Sequence, residues 1–430
     1  MMVELTPIFR DFVTGAEKLV FGEYELEGAS VETEPLLNGV PYKIHRQSYD
    51  VEHRRAAGTF FTGSAKSRQI AYQLHKALPA GGLVMDPTCG IGDLLLAYAE
   101  HLPLEATLHQ TLVTWGEQLS GIDLDADFVR LTKARLVLLA RLRGGFTGKI
   151  DDIDRIFPQI RVGDMVQAKR EVGEPDGFLF NPPFGIVKDV DECTWSAGST
   201  NAAALFLAEL VKHKKVSAPI SAILPEVLRC GSRYAAFRTH LENLGVWGNY
   251  KSLGRFDAWT DVDVFSTLIV PSQKGKIWDN RCGAQDDIRV GDMFRVHVGA
   301  VVPHRHPKKG GWQRYICAKT TPKWSDEFEP SVSRRFSGTV FKPPFAVVRR
   351  TSSPSDRNRA VATVIVGDRT VAVENHLLVL LPMDDNVESC RRLVQVLASD
   401  ATNTFLNAEI RCRHLTTGIV AQIPWVVPDD

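Results

Sequence analysis

The stretch GLVMDPTCGIGDLLLAYAE, residues 82–100, decides the fold of the chain. Residues 82–86 form a short apolar run that predicts a buried β-strand, and residues 93–100 have the composition of a helix. Gly90 and Gly92 lie in the turn between them, where glycine permits a tight bend and close approach of a ligand to the backbone. A strand, a glycine turn and a helix in this order predict one unit of a parallel α/β sheet with a ligand at the turn.

The same alternation of strands and helices continues on both sides of this stretch. Further helices are predicted over residues 64–78, 126–141 and 202–213, and further strands over residues 119–123, 178–181, 220–224 and 262–270. This spacing predicts an α/β domain over residues 51–272, with a mostly parallel sheet and helices on both faces. Residues 1–50 are expected to form a small helical and loop element, while the role of residues 101–115 is left open.

From about residue 275 the hydrophobic pattern of the sequence changes. Short apolar pieces, such as residues 345–349, 360–366 and 377–381, are separated by Gly and Pro. This pattern predicts a separate β-rich α+β domain over residues 275–430.

Composition limits the class of protein. The chain has 430 residues, of which 44% are hydrophobic and 24% charged, so it can bury large cores without disulfides. Its 7 cysteines form no CxxC pair, and no histidine pattern supports a metal site, so no metal is expected. The first residues lack the basic start and apolar core of a signal peptide, and no apolar run reaches the ~18 residues of a membrane span. The chain is therefore expected to be cytoplasmic, with no membrane partner.

The net charge of zero hides an asymmetry. Residues 271–430 contain 23 Lys and Arg against 17 Asp and Glu, whereas residues 1–270 contain 28 against 34. Arginine forms forked hydrogen bonds to phosphates and guanine edges, so the basic loops of this part are candidates for DNA contact. These candidates are Arg305, Lys308, Lys309, Arg334, Arg335, Arg349, Arg350, Arg357 and Arg359. The alternative is a domain that docks another subunit.

The turn after the first strand reads DPxCGxG rather than GxGxxG. The shorter loop suits a ligand without a pyrophosphate, such as S-adenosylmethionine, whose amino-acid part approaches the glycines. Asp123 ends the second strand, where an acidic side chain can accept both ribose hydroxyls of an adenosine. Asp125 is expected to cap the following helix, and Asp164 follows the next strand, where it can accept from an adenine amino group.

The most specific motif is Phe178-Leu-Phe-Asn181-Pro-Pro-Phe184. Pro182 and Pro183 restrict φ and donate no backbone hydrogen bond, so the loop is rigid and presents carbonyl oxygens. Two acceptors, the Asn181 side chain and the Pro182 carbonyl, can bind one planar amino group and localise its lone pair. Phe184 provides an aromatic plane on which a base can stack.

Together, these motifs resemble class I amino-methyltransferases that make N6-methyladenine in DNA. The closest resemblance is to Taq-type methyltransferases and to the methylation subunits of type I restriction-modification systems. Gly58-Thr-Phe-Phe-Thr62 is similar to the segment that this family places over the methionine end of its cofactor. The resemblance covers about residues 54–270. It implies a Rossmann-like domain with a mostly parallel seven-stranded sheet, S-adenosylmethionine as cofactor, and methylation of a flipped adenine.

The resemblance also assigns roles to individual residues. The cofactor-binding residues that it implies are Thr59, Phe60, Thr62, Asp86, Thr88, Gly90, Asp123, Leu124, Asp164, Met165 and Asn181. The catalytic loop consists of Asn181, Pro182, Pro183 and Phe184. Phe184 and Phe256, a second aromatic wall before a late strand, are expected to stack on the target base.

The expected function is adenine-N6 methylation of double-stranded DNA, by the modification component of a restriction-modification or related phage-defence system. A separately encoded restriction or specificity subunit is a candidate partner. The same loop also serves enzymes that methylate RNA, at adenine N6 or guanine N2, or a protein glutamine. A third hypothesis is a non-catalytic structural subunit of a defence complex. The intact Asn181 loop and the glycine pair argue against it.

Overall fold

The computed structural model describes two compact units, Met1–Arg229 with Arg233–Asn280, and Cys230–Ser232 with Arg281–Asp430. The described residues are 7–22, 34–49, 61–165, 174–188, 193–196, 198–213, 218–257, 260, 262–271, 277–278, 288–411 and 413–427. Within them, no helix has the length and apolar character needed to cross a membrane.

The first unit is built around one large sheet. Its strands are β1 (Val84–Asp86), β2 (Leu119–Asp123), β3 (Ile160–Val162), β4 (Gly177–Phe180), β7 (Ile220–Pro225), β8 (Val246–Gly248), β9 (Lys251–Arg255) and β10 (Asp263–Pro271). Seven of them follow the order β3-β2-β1-β4-β7-β10-β8, and β9 pairs additionally with β10. The pairs from β3 to β7 are parallel, whereas β10 is antiparallel to β7, β8 and β9. The predicted mostly parallel sheet is confirmed, with an antiparallel strand near one edge.

Helices connect and cover these strands. They are α1 (Pro7–Phe21), α2 (Val40–Ser48), α3 (Ser64–Ala77), α4 (Asp93–Ala99), α5 (Leu108–Gln118), α6 (Ala126–Gly144), α7 (Ile153–Ile156), α8 (Ala202–His213), α9 (Glu226–Cys230) and α10 (Ala235–Asn243). Helix α3 packs on β4, β7 and β10, while α6 packs on β2 and β3. A two-stranded ribbon of β5 (Ile186–Val187) and β6 (Thr200–Asn201) follows β4.

The N-terminal residues contribute to the core of the first unit. The buried stripe of α1 consists of Phe9, Val13, Ala16 and Val20, at the spacing of one helical face. Phe9 contacts Phe128 of α6 edge to face, with ring centroids 5.6 Å apart. Residues 7–21 are helical throughout, and no break interrupts the helix. Because α1 packs on α6, these residues share one hydrophobic core with the sheet.

The segment between α4 and β2, whose role the sequence left open, forms helix α5. Thr107 caps its N-terminus by accepting a hydrogen bond from the Gln110 backbone N–H. Trp115 is fully buried, and its indole N–H donates to the Pro103 carbonyl at 2.9 Å. The segment is therefore an integral layer of the first unit, because its tryptophan fills the core beside α6 and β2.

The second unit contains two sheets and a set of helices. Its strands are β11 (Phe294–Val298), β12 (Gly311–Ile316), β13 (Ser325–Phe328), β14 (Ser333–Phe336), β15 (Phe345–Arg349), β16 (Ala362–Ile365), β17 (Val371–Val373) and β18 (Leu377–Pro382). Its helices are α11 (Val290–Met293), α12 (Val387–Ala398), α13 (Asp400–Glu409) and α14 (Thr417–Ala421). One sheet has the order β11-β18-β15-β16-β13 and the other β14-β12-β17. Helix α12 packs on the five-stranded sheet, so the predicted β-rich α+β character is confirmed.

Candidate functional site

The candidate site lies at the point where the strand order of the large sheet reverses. From β1, the next two strands, β2 and β3, extend the sheet toward one edge, whereas β4 pairs with the other side of β1. Loops that follow two such neighbouring parallel strands diverge and leave a crevice at their carboxyl ends, which is where ligands bind in open α/β sheets. The glycine turn follows β1 and the Asn181 loop follows β4, so the two predicted motifs occupy this crevice.

The glycine turn is held in an unusual backbone conformation. Gly90 and Gly92 have φ values of 53° and 86°, a region that residues with a Cβ rarely adopt. A Cβ at Gly92 would lie 2.6 Å from Thr132 Cγ2, so only glycine fits there. The Gly90 N–H donates to Asp123 Oδ2 at 2.9 Å, and Thr132 Oγ1 donates to the Gly90 carbonyl at 3.0 Å. The end of β2 and helix α6 therefore fix the shape of the turn.

Two carboxylates, the buried Asp86 and the half-buried Asp123, lie at this turn. Burial, together with the nearby Asp123 and Asp93 carboxylates, raises the pKa of Asp86 to about 8, although a hydrogen bond from the Thr88 N–H acts to lower it. Burial likewise raises the pKa of Asp123, although it accepts hydrogen bonds from the Gly90 and Asp125 backbone. Among the described residues, neither carboxylate has an ion-pair partner. A ligand that carries a positive group would favour the ionised form of both side chains.

Four further residues follow the ends of β2 and β3, two after each strand. Asp125 accepts from the backbone N–H groups of Asp127 and Phe128, which confirms its predicted role as the cap of α6. Leu124 is 63% exposed, whereas Met165 is buried. Asp164 is half-buried and follows β3, beside the strand end that carries Asp123.

The Asn181 loop is tied to the glycine turn and to the segment that precedes α3. Asn181 Nδ2 donates to Thr62 Oγ1 at 2.8 Å, and Thr88 Oγ1 donates to the Asn181 carbonyl at 3.3 Å. Because the amide nitrogen is engaged by Thr62, the amide oxygen points away from that bond. Thr59 and Phe60, which the resemblance places over the cofactor, lie outside the described residues. Phe61 packs over Gly90, with its ring 3.7 Å from the position of a Cβ there.

The two aromatic residues expected to stack on the target base contact each other directly. Phe184 and Phe256 are both buried, and their rings meet edge to face with centroids 5.4 Å apart. A base between two parallel rings needs about twice the ~3.5 Å van der Waals spacing. In this structure the rings leave no such gap, so the predicted stacking requires at least one ring to turn or move.

The sequence motifs do not include two residues that support the backbone of the site, Asn201 and Arg135. Asn201, in β6, donates to the Phe184 carbonyl at 3.0 Å and fixes the end of the Asn181 loop. Arg135, in α6 and 1% exposed, donates to Asp93 Oδ1 at 2.9 Å and to the Ile91 carbonyl. It also donates to the Leu36 carbonyl at 2.9 Å. These contacts join residues far apart in the chain, so no local motif signals them.

The predicted basic residues of the second unit differ in their surroundings. Arg359 is fully buried and donates to the carbonyls of Leu406 and Ile410. The prediction that Arg359 contacts DNA is therefore wrong, because this guanidinium bonds the end of α13 inside the unit. Arg334 is also buried, donates to the His306 carbonyl at 2.7 Å and lies over the Tyr315 ring. It supports a loop rather than an exposed face.

The remaining candidates are accessible to different degrees. Arg349 and Arg350 are half-buried, and Arg349 donates to the Thr321 carbonyl at 3.1 Å. The exposed members of the set are Arg305, Lys308, Lys309, Arg335 and Arg357. Within the described residues, no cluster of His, Cys, Asp and Glu side chains has the arrangement of a metal site.

The strand order and the two loops at its reversal point define the first unit as a class I methyltransferase fold. The order of its seven successive strands, with one antiparallel strand near the edge, and its glycine turn after β1 agree with the fold that the sequence resemblance implied.

No protein-family model matches the chain, and no curated protein matches it. Among solved structures, it is similar to a class I S-adenosylmethionine-dependent methyltransferase from Listeria monocytogenes, with 15% identity over 63% of this chain and 82% of that one and a TM-score of 0.43. It is also similar to a modification subunit of a type I restriction enzyme from Vibrio vulnificus, with 16% identity over 63% of this chain, 53% of that one and a TM-score of 0.36.

A third similarity extends through both units. The type IIL restriction-modification enzyme MmeI, solved in complex with DNA, shares 10% identity over 97% of this chain and 70% of its own, with a TM-score of 0.47. The chain spans about half the length of the Vibrio vulnificus modification subunit. At these identities and TM-scores the fold assignment depends on the strand order described above, not on these similarities.

Proposed function

We propose that the protein is an S-adenosylmethionine-dependent methyltransferase that acts on the N6 amino group of adenine in double-stranded DNA. The observation that carries this proposal is the hydrogen-bonded connection between the two loops at the reversal point. Thr88 of the glycine turn bonds the Asn181 backbone, and Thr62 bonds the Asn181 side chain. A cofactor crevice and an acceptor for a planar amino group are thereby joined in one rigid site.

The residues of the crevice fit the proposed cofactor. S-adenosylmethionine carries a sulfonium and an ammonium group, and it supplies an electrophilic methyl group when bound. Burial raises the pKa values of Asp86, which is buried, and of Asp123, which is half-buried, and a cationic ligand would favour the ionised form of both. Asp123 uses its two oxygens for backbone N–H groups, but a carboxylate has about four lone-pair directions and retains capacity for ribose hydroxyls.

The Asn181 loop performs the part of the chemistry that concerns the acceptor. An exocyclic amino nitrogen is a poor nucleophile because its lone pair is shared with the ring. Asn181 Oδ1 and the Pro182 carbonyl accept its two hydrogens, which localises the lone pair and aligns the nitrogen for direct transfer. No covalent enzyme intermediate forms. Cys89 does not act as a nucleophile, since burial and the Asp123 carboxylate raise the pKa of its thiol well above the ordinary value.

The target base must leave the duplex before this chemistry, because a stacked adenine is not accessible to a loop in a crevice. Phe184, with Phe256 beside it, provides the surface on which the extruded base stacks. The edge-to-face contact between them is then the resting arrangement, and the base replaces part of it.

The presence of a second unit favours duplex DNA over RNA or protein as substrate, because a flipped duplex base needs a partner surface that reads its neighbours. The exposed cations of this unit, among them Arg305, Lys308 and Arg335, can bind DNA phosphates. We further infer that the protein is the modification component of a restriction-modification or related phage-defence system. A separately encoded restriction or specificity subunit is then its partner.

The proposal is tested by transfer of tritiated methyl groups to DNA, RNA and protein, followed by sequencing of modified DNA. The wild-type protein should label duplex DNA at adenine. Asn181→Ala should lower turnover by ~10²-fold or more while cofactor binding survives. Asn243→Ala, which changes an exposed asparagine at the end of α10, is the matched control and should keep full activity. Label in RNA or protein alone would overturn the assignment of DNA.

A further inference from the structure

Trp312 lies on β12 with 72% of its surface exposed, although a tryptophan normally buries much of its ring. Its neighbour across the antiparallel strand pair is Arg335 of β14, which is also exposed. Residues directly opposite each other in an antiparallel pair project from the same face of the sheet. The two side chains therefore form a solvent-facing pair of an indole and a guanidinium.

The opposite face of the same strands is packed. Phe336 of β14 is buried with Val301 and Ala372 in a small hydrophobic cluster. Arg334, which alternates with Arg335, is buried against Tyr315. Because side chains alternate along a strand, one face of this strand pair is buried and the other faces solvent. Packing of the core therefore does not explain why a tryptophan is at the exposed position 312.

Two lysines lie immediately before this strand. Lys308 and Lys309 are exposed, and Gly310, with φ 96°, turns the chain into β12. A Cβ at Gly310 would lie 2.6 Å from the Phe336 carbonyl oxygen, so the turn needs glycine. Arg335 Nε donates to the Gly310 carbonyl at 2.9 Å, which holds the turn beside the strand pair. We call Lys308, Lys309, Trp312 and Arg335 the Trp312 face.

The net basic charge of the C-terminal part lies in the segment of sequence that carries this face. Residues 300–345 contain nine Lys and Arg against three Asp and Glu, whereas the rest of residues 271–430 contains fourteen of each. The three acids are Asp326, Glu327 and Glu329, which lie on or directly after β13 in the other sheet. The basic excess of the C-terminal part therefore belongs to the segment that carries Trp312.

We propose that the Trp312 face is a nucleic-acid contact, in which Trp312 packs on a sugar or on an unstacked base and the cations bind the flanking phosphates. A polyanion that also exposes flat rings fits this combination, whereas a protein partner would favour apolar or acidic neighbours for the tryptophan. The inference rests on the proposed function, because it identifies where the second unit contacts the DNA substrate. It adds Trp312, an uncharged residue, to a surface otherwise defined by arginine and lysine.

The test measures binding of the full-length protein to a fluorescein-labelled duplex of random sequence, over a series of salt concentrations. Trp312→Ala should weaken binding by about fivefold to a hundredfold, the range for loss of one stacked aromatic contact, with an unchanged salt slope. Arg335→Gln should reduce the slope of log K against log salt by about 0.9, the loss of one phosphate contact. Trp312→Phe should retain most of the affinity.

Arg392→Gln, an exposed charge on α12, is the matched control and should leave both affinity and slope unchanged. If Trp312→Ala and Arg335→Gln bind and methylate DNA as the wild type does, the Trp312 face is not the contact, and the proposed function stands. If both variants keep normal DNA binding but lose a partner protein, the surface docks protein and the inference is overturned. If the wild type binds cofactor yet neither binds nor methylates DNA, the proposed function itself fails.

Discussion

Asn181 donates its side-chain N–H to Thr62 Oγ1 at 2.8 Å, so the residue that follows β4 is oriented by one that precedes α3. The bond joins positions 119 residues apart in the chain. The bond holds the nitrogen of the Asn181 amide against Thr62. The amide oxygen, which is the proposed acceptor for the substrate amino group, therefore points away from Thr62.

Replacement of Thr62 by valine should therefore lower turnover. Valine keeps the shape but removes the acceptor, and a neutral hydrogen bond contributes about 1 kcal/mol, so single-turnover methyl transfer should slow by roughly fivefold to tenfold. Thr62→Ser retains the hydroxyl and should restore the rate. Calorimetry with S-adenosylmethionine should give the same affinity for the valine and serine variants. Equal rates for the valine and serine variants would show that this bond does not orient Asn181.

The contact between Phe184 and Phe256 should open when the target base enters. Because the rings now meet edge to face at 5.4 Å, base entry must separate them. A duplex with 2-aminopurine at the target position should show a fluorescence change on binding that Phe256→Leu alters. Phe12→Leu, a change of a partly buried ring in α1, serves as the control and should leave the signal as in the wild type. A signal unaffected by either substitution would exclude Phe256 from the base-binding surface.

Asp123 should contribute to the cofactor crevice in two ways. Its carboxylate holds the Gly90 N–H, and it is the proposed acceptor for the ribose hydroxyls. Asp123→Ala should weaken S-adenosylmethionine binding by about 1.5–3 kcal/mol, the contribution of hydrogen bonds to a charged group. Asp125→Ala removes only the α6 cap, so it should cost about 1 kcal/mol of stability with unchanged cofactor affinity. Calorimetry and urea unfolding distinguish the two, and similar cofactor affinities in both variants would contradict this role.

Arg135 should act as a positioning residue for the glycine turn. It bonds Ile91 and Asp93 at the start of α4, and Asp93 Oδ2 accepts from the Gly63 N–H. Arg135→Met leaves the Asp93 carboxylate without its cation and should cost about 3–5 kcal/mol of stability. In the protein that remains folded, cofactor affinity should fall as well.

Arg141→Met is the matched control for this prediction. Arg141 is buried on the same helix and donates to the Leu19, Val20 and Gly148 carbonyls, away from the glycine turn. It should destabilise the fold without changing the cofactor affinity of folded molecules. If both variants lose stability and neither changes affinity, Arg135 has a structural role only.

Asp86 should make the free protein less stable as the pH rises. Its pKa is raised from 3.8 to about 8, so the folded state holds a proton that the unfolded chain releases. The free energy of unfolding should therefore decrease between about pH 4 and about pH 8, by up to ~1.4 kcal/mol per pH unit from this group. Asp86→Asn should remove this component in urea unfolding at several pH values. An unchanged pH profile in that variant would assign the dependence to other groups, such as Asp125, whose pKa burial raises to about 6.

Much of the first unit could be predicted because its signals are local. Strand β2 and helix α8 have the predicted bounds, and strands β4 and β7 agree to within one residue at each end. The glycine turn and the Asn181 loop are also local, since each requires particular residues at adjacent positions. Hydrophobic periodicity and turn chemistry depend on neighbours in the chain, and these the sequence displays directly.

The second unit was less predictable for the same reason. Its apolar pieces indicated β15, β16 and β18, but β12 and β14 are short, half-polar strands of a small sheet with little hydrophobic pattern. The sequence predicts DNA contacts in several basic loops, yet Arg359 is buried while Arg335 is exposed. The sequence shows an arginine at both positions. Whether the guanidinium is buried depends on acceptors such as the Ile410 carbonyl, which the distant end of α13 supplies.

The sequence by itself determined the class of fold, the turn that needs glycine at Gly92 and the rigid acceptor loop at Asn181, because these follow from backbone conformation and local residue chemistry. The tertiary structure alone decided that Thr62 orients Asn181, that Arg135 braces the glycine turn and that Trp312 faces solvent. Each of these depends on which distant segments meet when the sheet orders its strands. Hydrogen bonds and burial act over a few ångströms in space, whatever the separation along the chain.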